Sequence, residues 1–459
     1  MLESRLRDLL QSTREYAAKR DITAAFLLHR EQSSLVRLGN SAVALSTSES
    51  LTRLDVVVTE GRKVGAFSLN ADIVSAEQLR DALQRAQEYC AASPEKEYDP
   101  IPTVIETGCD DTRGYDPALE HYSAAEKTAV CAEVIHSFAP RGDFDFSGSW
   151  SSGSTENYLV STANDHEAYR HFTDGRLMLV LKDKQQKWEL STEQTGKCTA
   201  DFSAGAMIDE LAELLPIYEQ HAGYRSPLGY TRVIFGPQAI AELISLAMWG
   251  GFSGRSWEEQ LAFTAGKQFG DAILSPQVTL VDDPTHPDVF GMPFDFNGKA
   301  RQPFPLIEHG CFAGLCYDAE SAAKYHRQPT GHDVLAMDLV LATGDAPAGL
   351  AAGKAVAGDA LYIPHIHYTN MPDPARGMFT GSSRFNALLV QGGAFTAPLL
   401  STRITDTIPN IFSHVVAVAE RSVPVNISNT YGRRAPEAIS VPEYLICDNV
   451  RISDVAESF

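Results

Sequence analysis

The second half of the chain opens with Thr231-Arg-Val-Ile-Phe-Gly-Pro237, and the apolar run Ala239-Ile-Ala-Glu-Leu-Ile-Ser-Leu-Ala-Met-Trp249 follows it. The β-branched and aromatic residues of the first segment predict a strand that ends at the Gly-Pro pair. The second segment predicts a helix, and its few polar positions indicate that this helix is buried. Beyond residue 275, short β-type runs alternate with Pro, Gly, Asp and Asn, which is typical of a mainly-β domain.

The sequence of the first half predicts antiparallel strands that form a sheet with helices on one face. Helices are expected over residues 1–20, after Ser75, from Ser123 to about 138 and over 204–218. Strands are expected at 24–28, 34–38, 55–60, 158–162, 167–173 and 177–182, with a turn at Asp174-Gly175. A chain of 459 residues favours two domains. We therefore predict an α+β protein with an N-terminal domain, 1–225, and a mainly-β C-terminal domain, 226–459, that contains a buried helix.

Composition and charge exclude several classes of protein. The chain has 38 Lys and Arg against 59 Asp and Glu, a net charge of −21, which disfavours binding to nucleic acid. It contains no uncharged apolar run near the roughly 20 residues of a membrane span. Its charged amphipathic start lacks the apolar core of a signal peptide. The seven cysteines are odd in number and irregular in spacing, which favours a reducing compartment. We expect a cytoplasmic protein.

Several blocks of the second half, taken in order, resemble the C-terminal domain of the TldD/PmbA (TldD/TldE) family of metallopeptidases and proposed DNA gyrase modulators. The likeness covers about residues 230–455 and continues more weakly over 20–220. The blocks are residues 232–237, 275–284, 306–310, 329–331, 367–370, 379–381 with Arg384, and 390–393. The resemblance implies the family's fold and an involvement in peptide cleavage, whereas the acidic composition gives no support to gyrase modulation.

The zinc motif of the family's peptidase subunit is replaced in this chain. That subunit carries His-Glu-x-x-x-His on the helix after the Gly-Pro turn, and a cysteine near its C-terminus completes the zinc site. The corresponding positions here are Ser245, Leu246, Gly250 and Ser428. Serine is a poor zinc ligand, and leucine and glycine offer no donor. The resemblance thus implies a TldE-like subunit with no cofactor of its own, which joins a zinc-bearing TldD-like chain in a heterodimer and acts on a peptide substrate.

A literal His-Glu-x-x-x-His does occur elsewhere, as His166-Glu167-Ala-Tyr-Arg-His171. It would make the chain an independent metallopeptidase. The two histidines lie five residues apart, so they point to opposite faces of a strand. Even on a helix they would lie about 140° apart. We interpret this segment as an exposed strand with polar residues.

The pair His365-Ile-His367 is a second candidate site, because residues two apart share a strand face. With Asp373 it could bind a metal and give an independent metallopeptidase, although peptide binding or subunit contact is the better functional reading. The hydroxyls and guanidinium of 379–384 could bind a peptide carboxylate, or simply hold a hairpin. Our candidates for peptide binding or a subunit interface are His365, His367, Tyr368, Asn370, Thr380 and Arg384.

Two further alternatives remain open. Asp282, Asp283 and Asp295 could gather a calcium or magnesium ion, but Asp-Asp-Pro more commonly ends a strand and begins a turn. The chain could also be a homodimeric peptide-binding protein without catalysis. Mass measurement with and without a partner chain would detect that case.

Overall fold

The structure is a computed structural model that describes residues 4–334, 337–428 and 434–459. The helices are α1 (Ser4–Ala18), α2 (Ala76–Ala92), α3 (Pro117–Glu120), α4 (Ala124–Phe138), α5 (Ala204–Gln220), α6 (Pro237–Gly251), α7 (Gly254–Glu258), α8 (Ala319–Lys324), α9 (Leu350–Ala357) and α10 (Ile408–Ser413). The strands of the first half are β1 (Thr23–Gly39), β2 (Ala42–Glu60), β3 (Lys63–Asn70), β4 (Cys109–Asp111), β5 (Phe144–Ser161), β6 (Glu167–Asp183) and β7 (Glu189–Gly196).

The strands of the second half are mostly short. They are β8 (Gly229–Phe235), β9 (Leu280–Asp282), β10 (Phe304–Glu308), β11 (Cys311–Phe312), β12 (Leu339–Leu341), β13 (Ala360–Ile363), β14 (Ile366–Asp373), β15 (Met378–Ser383), β16 (Leu388–Gln391), β17 (Ala394–Pro398), β18 (Thr402–Thr407), β19 (Val415–Val418), β20 (Ser422–Asn426), β21 (Ala438–Pro442) and β22 (Leu445–Val455). The α+β class predicted from the sequence is confirmed.

The first half forms one sheet in the order β3-β2-β1-β5-β6-β4, with β7 also paired to β6. Its ladders are antiparallel except for the short parallel pair β4–β6, which the sequence did not predict. Capping boxes start two of its helices: the Ser75 side chain accepts from the backbone of Gln78, and Ser123 does the same for Glu126. Both serines were predicted as helix starts.

The helices of the first half cover one face of this sheet, as predicted. Phe26 packs in a core cluster with α1 and α2, and Val36 packs in a second cluster with α4 and α5. Since these positions on β1 are an even number of residues apart, they share a face. The opposite face carries His29 and Glu31, and it contacts the second half, where the backbone N–H of Arg434 donates to Glu31 at 2.7 Å. This arrangement creates the polar interior described below.

The second half contains two sheets with α6 packed between them. One sheet runs β11-β10-β9-β12-β21-β20, and the other runs β14-β15-β18-β22-β8-β13-β16-β17, with β19 on β22. Ile240, Leu243 and Ile244 of α6 are buried in a core cluster that includes Phe235 of β8 and Val441 of β21. The buried helix predicted over 239–249 is therefore confirmed and extends to both sides of that range. None of the helices in the described ranges has the length and apolar character needed to cross a membrane.

Two predictions about the first sheet are wrong. Asp174-Gly175 is no turn, because β6 runs unbroken through it. An added Cβ on Gly175 would come within 2.6 Å of the Phe202 ring, so the glycine serves close packing. The strand at 167–173 is also mostly buried and not exposed, since its inner face meets the second half. One example is Arg170, which donates to the carbonyl of Phe290 at 2.6 Å.

Candidate functional site

Helix α6 brings together the first three positions at which the zinc motif was expected to be replaced. The helix begins at Pro237, where the missing N–H of proline costs nothing because a first-turn N–H has no helical partner. The Ser245 hydroxyl donates to the Ala241 carbonyl at 2.9 Å, one turn back along the helix. Leu246 is partly buried and packs against the core cluster of the second half. Neither side chain presents a ligand that suits zinc.

Gly250 is buried against strand β14. A Cβ at this position would lie 2.6 Å from Sδ and 3.0 Å from Cε of Met371, which is itself buried. Any side chain here must therefore displace Met371. The space that an imidazole would need at this point of the helix is filled by a thioether.

Ser428, the fourth position at which the zinc motif was expected to be replaced, forms two hydrogen bonds with one residue. Its hydroxyl accepts from the backbone N–H of Glu437 at 3.0 Å and donates to the Glu437 carbonyl at 3.4 Å. Strand β20, which ends two residues before Ser428, packs against α6. Across 4–334, 337–428 and 434–459, no three His, Cys, Asp or Glu side chains are grouped so as to hold a metal ion.

The two histidines at 365 and 367 do lie close together, with ring centroids 6.1 Å apart. Each ring also meets the Phe385 ring edge-on, at 5.7 and 5.3 Å. Burial lowers the pKa of His365 to about 3, helped by His367 and Arg176. Burial also lowers the pKa of His367, with contributions from Arg384 and Arg176. Both imidazoles are therefore neutral at pH 7. His365 Nε2 lies 3.3 Å from the Ser191 hydroxyl of β7, so this pair joins the two halves.

The remaining candidates near this pair have unequal roles. Tyr368 is 77% exposed and adopts a left-handed backbone conformation with φ of 53°. Asn370 lies opposite Thr380 in the β14–β15 ladder. The Thr380 hydroxyl contacts that of Thr405 at 3.0 Å. Of these residues, Tyr368 is the one most available to a ligand or partner.

Arg384 is already paired, since its Nη2 donates to Glu189 of β7 at 2.9 Å. Arg384 therefore connects the second half of the chain to the first half in this structure. Asp373, considered as a third ligand for the histidine pair, instead caps the following turn by accepting from the Arg376 backbone at 3.3 Å.

The His166–His171 segment does not form a site. His166 is exposed just before β6, and its Nδ1 contacts the Ile105 carbonyl at 2.9 Å. His171 is buried on the strand and stacks on Tyr115 with ring centroids 3.9 Å apart. Within the described ranges, neither ring nitrogen of His171 has a hydrogen-bond partner. Glu167 accepts from the Tyr158 hydroxyl. The three side chains therefore have separate partners.

The three aspartates considered for a hard cation are also separated by their contacts. Asp282 is buried and accepts both contacts of Arg301 Nη2, at 2.9 and 3.0 Å. Asp283 caps its own turn through the Thr285 backbone at 2.8 Å. Asp295 caps another turn, through the backbone N–H groups of residues 297 and 299.

The structure shows a polar interior that sequence reasoning missed. A cavity of about 110 Å³ lies between the inner face of the first sheet and loops of the second half. Its polar lining includes His29, Thr155, Arg301, Asp338, Arg434 and Glu437. Nothing in the sequence marks these residues, because single charged residues in turn-rich segments usually face solvent. Their burial follows from the docking of the two halves.

The sequence and fold both have known relatives. Residues 228–454 match the sequence model of the PmbA/TldA metallopeptidase C-terminal domain. TldE from Thermococcus kodakarensis aligns with a TM-score of 0.80 and 16% identity, over 97% of this chain and 100% of that one. A proposed DNA gyrase modulator from Bacteroides thetaiotaomicron aligns with a TM-score of 0.81 and 16% identity, over 99% and 100%. Another from Thermotoga maritima gives 0.77 and 15%, over 98% and 100%. Among curated proteins, none matches this sequence.

Proposed function

Because this chain belongs to the TldD/PmbA family, whose C-terminal domain is that of a metallopeptidase, we propose that it is the non-catalytic, TldE-like subunit of a heteromeric zinc peptidase. In this proposal a TldD-like partner carries the zinc, and the complex cleaves small or unfolded peptides in the cytoplasm. All seven cysteines are free thiols, in keeping with a reducing compartment.

The observation that carries the proposal is the chemistry of helix α6. A zinc peptidase needs neutral imidazoles or thiolates as ligands and a carboxylate that takes a proton from the metal-bound water. At the three motif positions this helix offers a hydroxyl bonded to its own backbone, a core leucine and a glycine under Met371. These residues do not fit zinc.

The outer side of the same helix supports a role in binding. The Thr369 hydroxyl of β14 donates to Glu242 of α6, so the strand segment next to Tyr368 is bonded to the helix. Tyr368 is 77% exposed and Trp249, on α6, is 50% exposed. Exposed aromatic side chains are enriched where proteins meet peptides or other subunits. We propose that this surface contacts the peptide or the TldD-like chain, together with His367 and Asn370.

The test compares the purified chain with a mixture of the chain and a TldD-like protein that has an intact His-Glu-x-x-x-His. Bound zinc is measured by elemental analysis and cleavage is followed on an unstructured peptide. We expect less than about 0.1 zinc per lone chain and no cleavage, with activity on mixing. Tyr368→Ala should weaken the mixture's activity, while Tyr89→Ala, an exposed tyrosine on α2, serves as the matched control.

Stoichiometric zinc and cleavage by the lone chain, both lost in His166→Ala or in His365→Ala, would overturn the proposal and establish an independent metallopeptidase. A stable homodimer that binds peptide and ignores the TldD-like protein would overturn it in favour of a peptide-binding protein. Analytical ultracentrifugation of each preparation separates these cases.

A further inference from the structure

One long stretch of strand β2 has no neighbouring strand on its outer side within the described ranges. Strand β1 pairs with β2 over the whole length of β2, but β3 pairs with it only over residues 53–60. Residues 42–52 therefore form the edge of the sheet. The first nine of them, 42–50, are all exposed, so both faces of the strand are bare there. We call residues 42–50 the open edge.

Backbone hydrogen bonds show which residues of the open edge face outward. The Thr52 carbonyl accepts from the N–H of Ala71, just after β3, at 3.2 Å, so Thr52 faces the outer side. Along a strand, the N–H and C=O of one residue point to the same side, and that side alternates from residue to residue. The β1–β2 ladder is regular over 45–52. The outward residues of the open edge therefore include Ser46, Ser48 and Ser50, each with one donor and one acceptor that no strand of the described ranges pairs.

Other edges of the sheets carry features that discourage pairing with another chain. Strands β4 and β11 have only three and two residues. Strands β14, β17 and β20 contain Pro372, Pro398 and Pro424, and proline cannot donate to a ladder. Strand β3 begins with Lys63. The open edge has no proline and no lysine, and the bulge in its ladder lies at the hairpin end. This contrast indicates that the open edge is kept free for a partner.

The chemistry of the open edge determines what that partner must offer. A row of alternating N–H and C=O groups is matched by another extended backbone, which adds a strand to the sheet. The large apolar side chains of the open edge are those of Val43 and Leu45, each 44% exposed. Its other side chains are those of alanine, serine, threonine and one glutamate. Recognition at this edge therefore depends on the partner's backbone and tolerates many sequences.

Size and charge favour a peptide over a whole subunit as the occupant. A stable interface between subunits buries roughly 800 Å² on each partner and is anchored by aromatic or arginine side chains. The open edge is nine residues long and has neither kind of side chain. A second copy of this chain would bring its own net charge of −21, and a second Glu49, towards the first. An extended peptide avoids that repulsion and needs no anchor.

The position of β3 leaves room for such a strand. After Asn70, the last residue of β3, the chain turns towards α2, which begins at Ala76. The bond from Ala71 to Thr52 is thus the last one between this segment and β2. The line that β3 follows beside β2 is therefore empty along the open edge. At about 3.3 Å per residue, residues 44–51 match a peptide of six to eight residues.

We propose that the open edge binds an unstructured peptide as an added β-strand, through the backbone groups of Ser46, Ser48 and Ser50. A proline-rich or folded segment does not fit, because neither offers a free extended backbone. The inference rests on the proposed function, since it names how a peptide-binding subunit holds its peptide. The open edge and Tyr368 belong to different sheets, so this is a second peptide contact.

The test follows the fluorescence anisotropy of a labelled peptide on titration with the lone, full-length chain. The peptide alternates Thr and Val between terminal Lys residues, and is about seven residues long to match the edge. N-methylation of two adjacent central residues removes an N–H from each side of the peptide and places a methyl group in the ladder. It should weaken binding by about tenfold or more. The same residues in shuffled order should bind within about threefold, because the backbone is what is recognised.

The variant Ser48→Pro removes the outward N–H of the open edge without breaking a hydrogen bond to β1, and edge strands tolerate proline at such positions. It should weaken peptide binding by about tenfold or more. The matched control Ser48→Thr keeps the N–H and should bind like the wild type. Circular dichroism and the thermal midpoint check that both variants are folded.

Hydrogen exchange of the wild type gives a second readout that needs no variant. Saturating peptide should slow amide exchange in residues 42–52 and leave the edge strand β17 unchanged, because Pro398 interrupts the donors of that strand. Absence of peptide binding, equal binding of the N-methylated peptide, or unchanged exchange in 42–52 would overturn the proposal. A dimer, or a complex with a TldD-like protein, that Ser48→Pro abolishes while peptide affinity stays the same would assign the edge to a subunit interface instead. Zinc and cleavage play no part in these measurements, so failure here is distinct from failure of the proposed function.

Discussion

The ion pair between Arg434 and Asp174 should be one of the main contacts that hold the two halves together. The variant Arg434→Met tests this expectation. The guanidinium donates to both carboxylate oxygens, at 2.9 and 2.6 Å, and to the Ser151 hydroxyl at 2.9 Å. The two side chains are 4% and 1% exposed. Removing the arginine leaves Asp174 buried without its counter-ion. Breaking a buried pair in this way costs about 3–5 kcal/mol, and we expect that loss in the free energy of unfolding.

Urea unfolding followed by tryptophan fluorescence measures this loss, since Trp150 and Trp188 are buried in the first half. Arg85→Met is the matched control, because Arg85 forms an exposed pair with Asp81 one helical turn away and should cost about 0.3–0.5 kcal/mol. Adding Asp174→Asn to Arg434→Met removes the stranded charge, so the double variant should regain much of the loss.

A cost below about 1 kcal/mol for Arg434→Met, or strictly additive losses in the double variant, would refute this account of the interface. The first result would mean that water reaches Asp174 once the arginine is gone. The second would mean that the two side chains act independently despite their contact.

Three further outcomes are expected. Lys127 donates to the Ser34 carbonyl and hydroxyl at 3.0 and 2.6 Å, and burial lowers its pKa to about 7. In the unfolded chain this lysine keeps its proton up to a pH of about 10.5. The free energy of unfolding of the wild type should therefore rise relative to Lys127→Met between pH 7 and 10, by at most about 1.4 kcal/mol per pH unit. Urea unfolding curves of the two proteins that show no such rise would contradict this. His365, with a folded pKa of about 3 against an unfolded value near 6.5, should make the protein lose stability as pH falls from 6.5 towards 3. His365→Gln should flatten that part of a thermal-denaturation profile, and an unchanged slope would argue against a buried neutral imidazole. Finally, Gly250→His should cost about 1–3 kcal/mol by overpacking against Met371 and bind no zinc. Its cost should shrink when it is introduced into Met371→Ala, and an equal cost in both backgrounds would show that Met371 is not the obstacle.

Local sequence patterns correctly predicted the elements that are determined by interactions between residues close together in the chain. Helix α6 was predicted over 239–249 and spans Pro237–Gly251, because its apolar residues and the preceding Gly-Pro pair act within one element. Ser75 and Ser123 were predicted as helix starts for the same reason, since a capping box joins residues only three apart.

Predictions failed where residues serve partners far away in the chain. Asp174 and Gly175 have the composition of a turn, yet Asp174 pairs with Arg434 and Gly175 makes room for Phe202. Asp174 contacts a residue 260 positions away in the chain, and Gly175 contacts one 27 positions away. A pattern read over a few neighbouring residues does not include contacts of that length. The buried, cavity-lining Arg301 and Glu437 were missed for the same reason.

The same distinction between local and long-range contacts applies to the candidate site. The resemblance of the sequence to the family implies the replacements at Ser245, Leu246 and Gly250. Strand periodicity alone predicted the closeness of His365 and His367, because residues two apart share a strand face. Only the tertiary structure decided that Arg384 is engaged by Glu189, that Met371 fills the space beside Gly250, and that a polar cavity lies between the halves. Those features arise from burial and packing between distant segments, which come into being when the sheets dock.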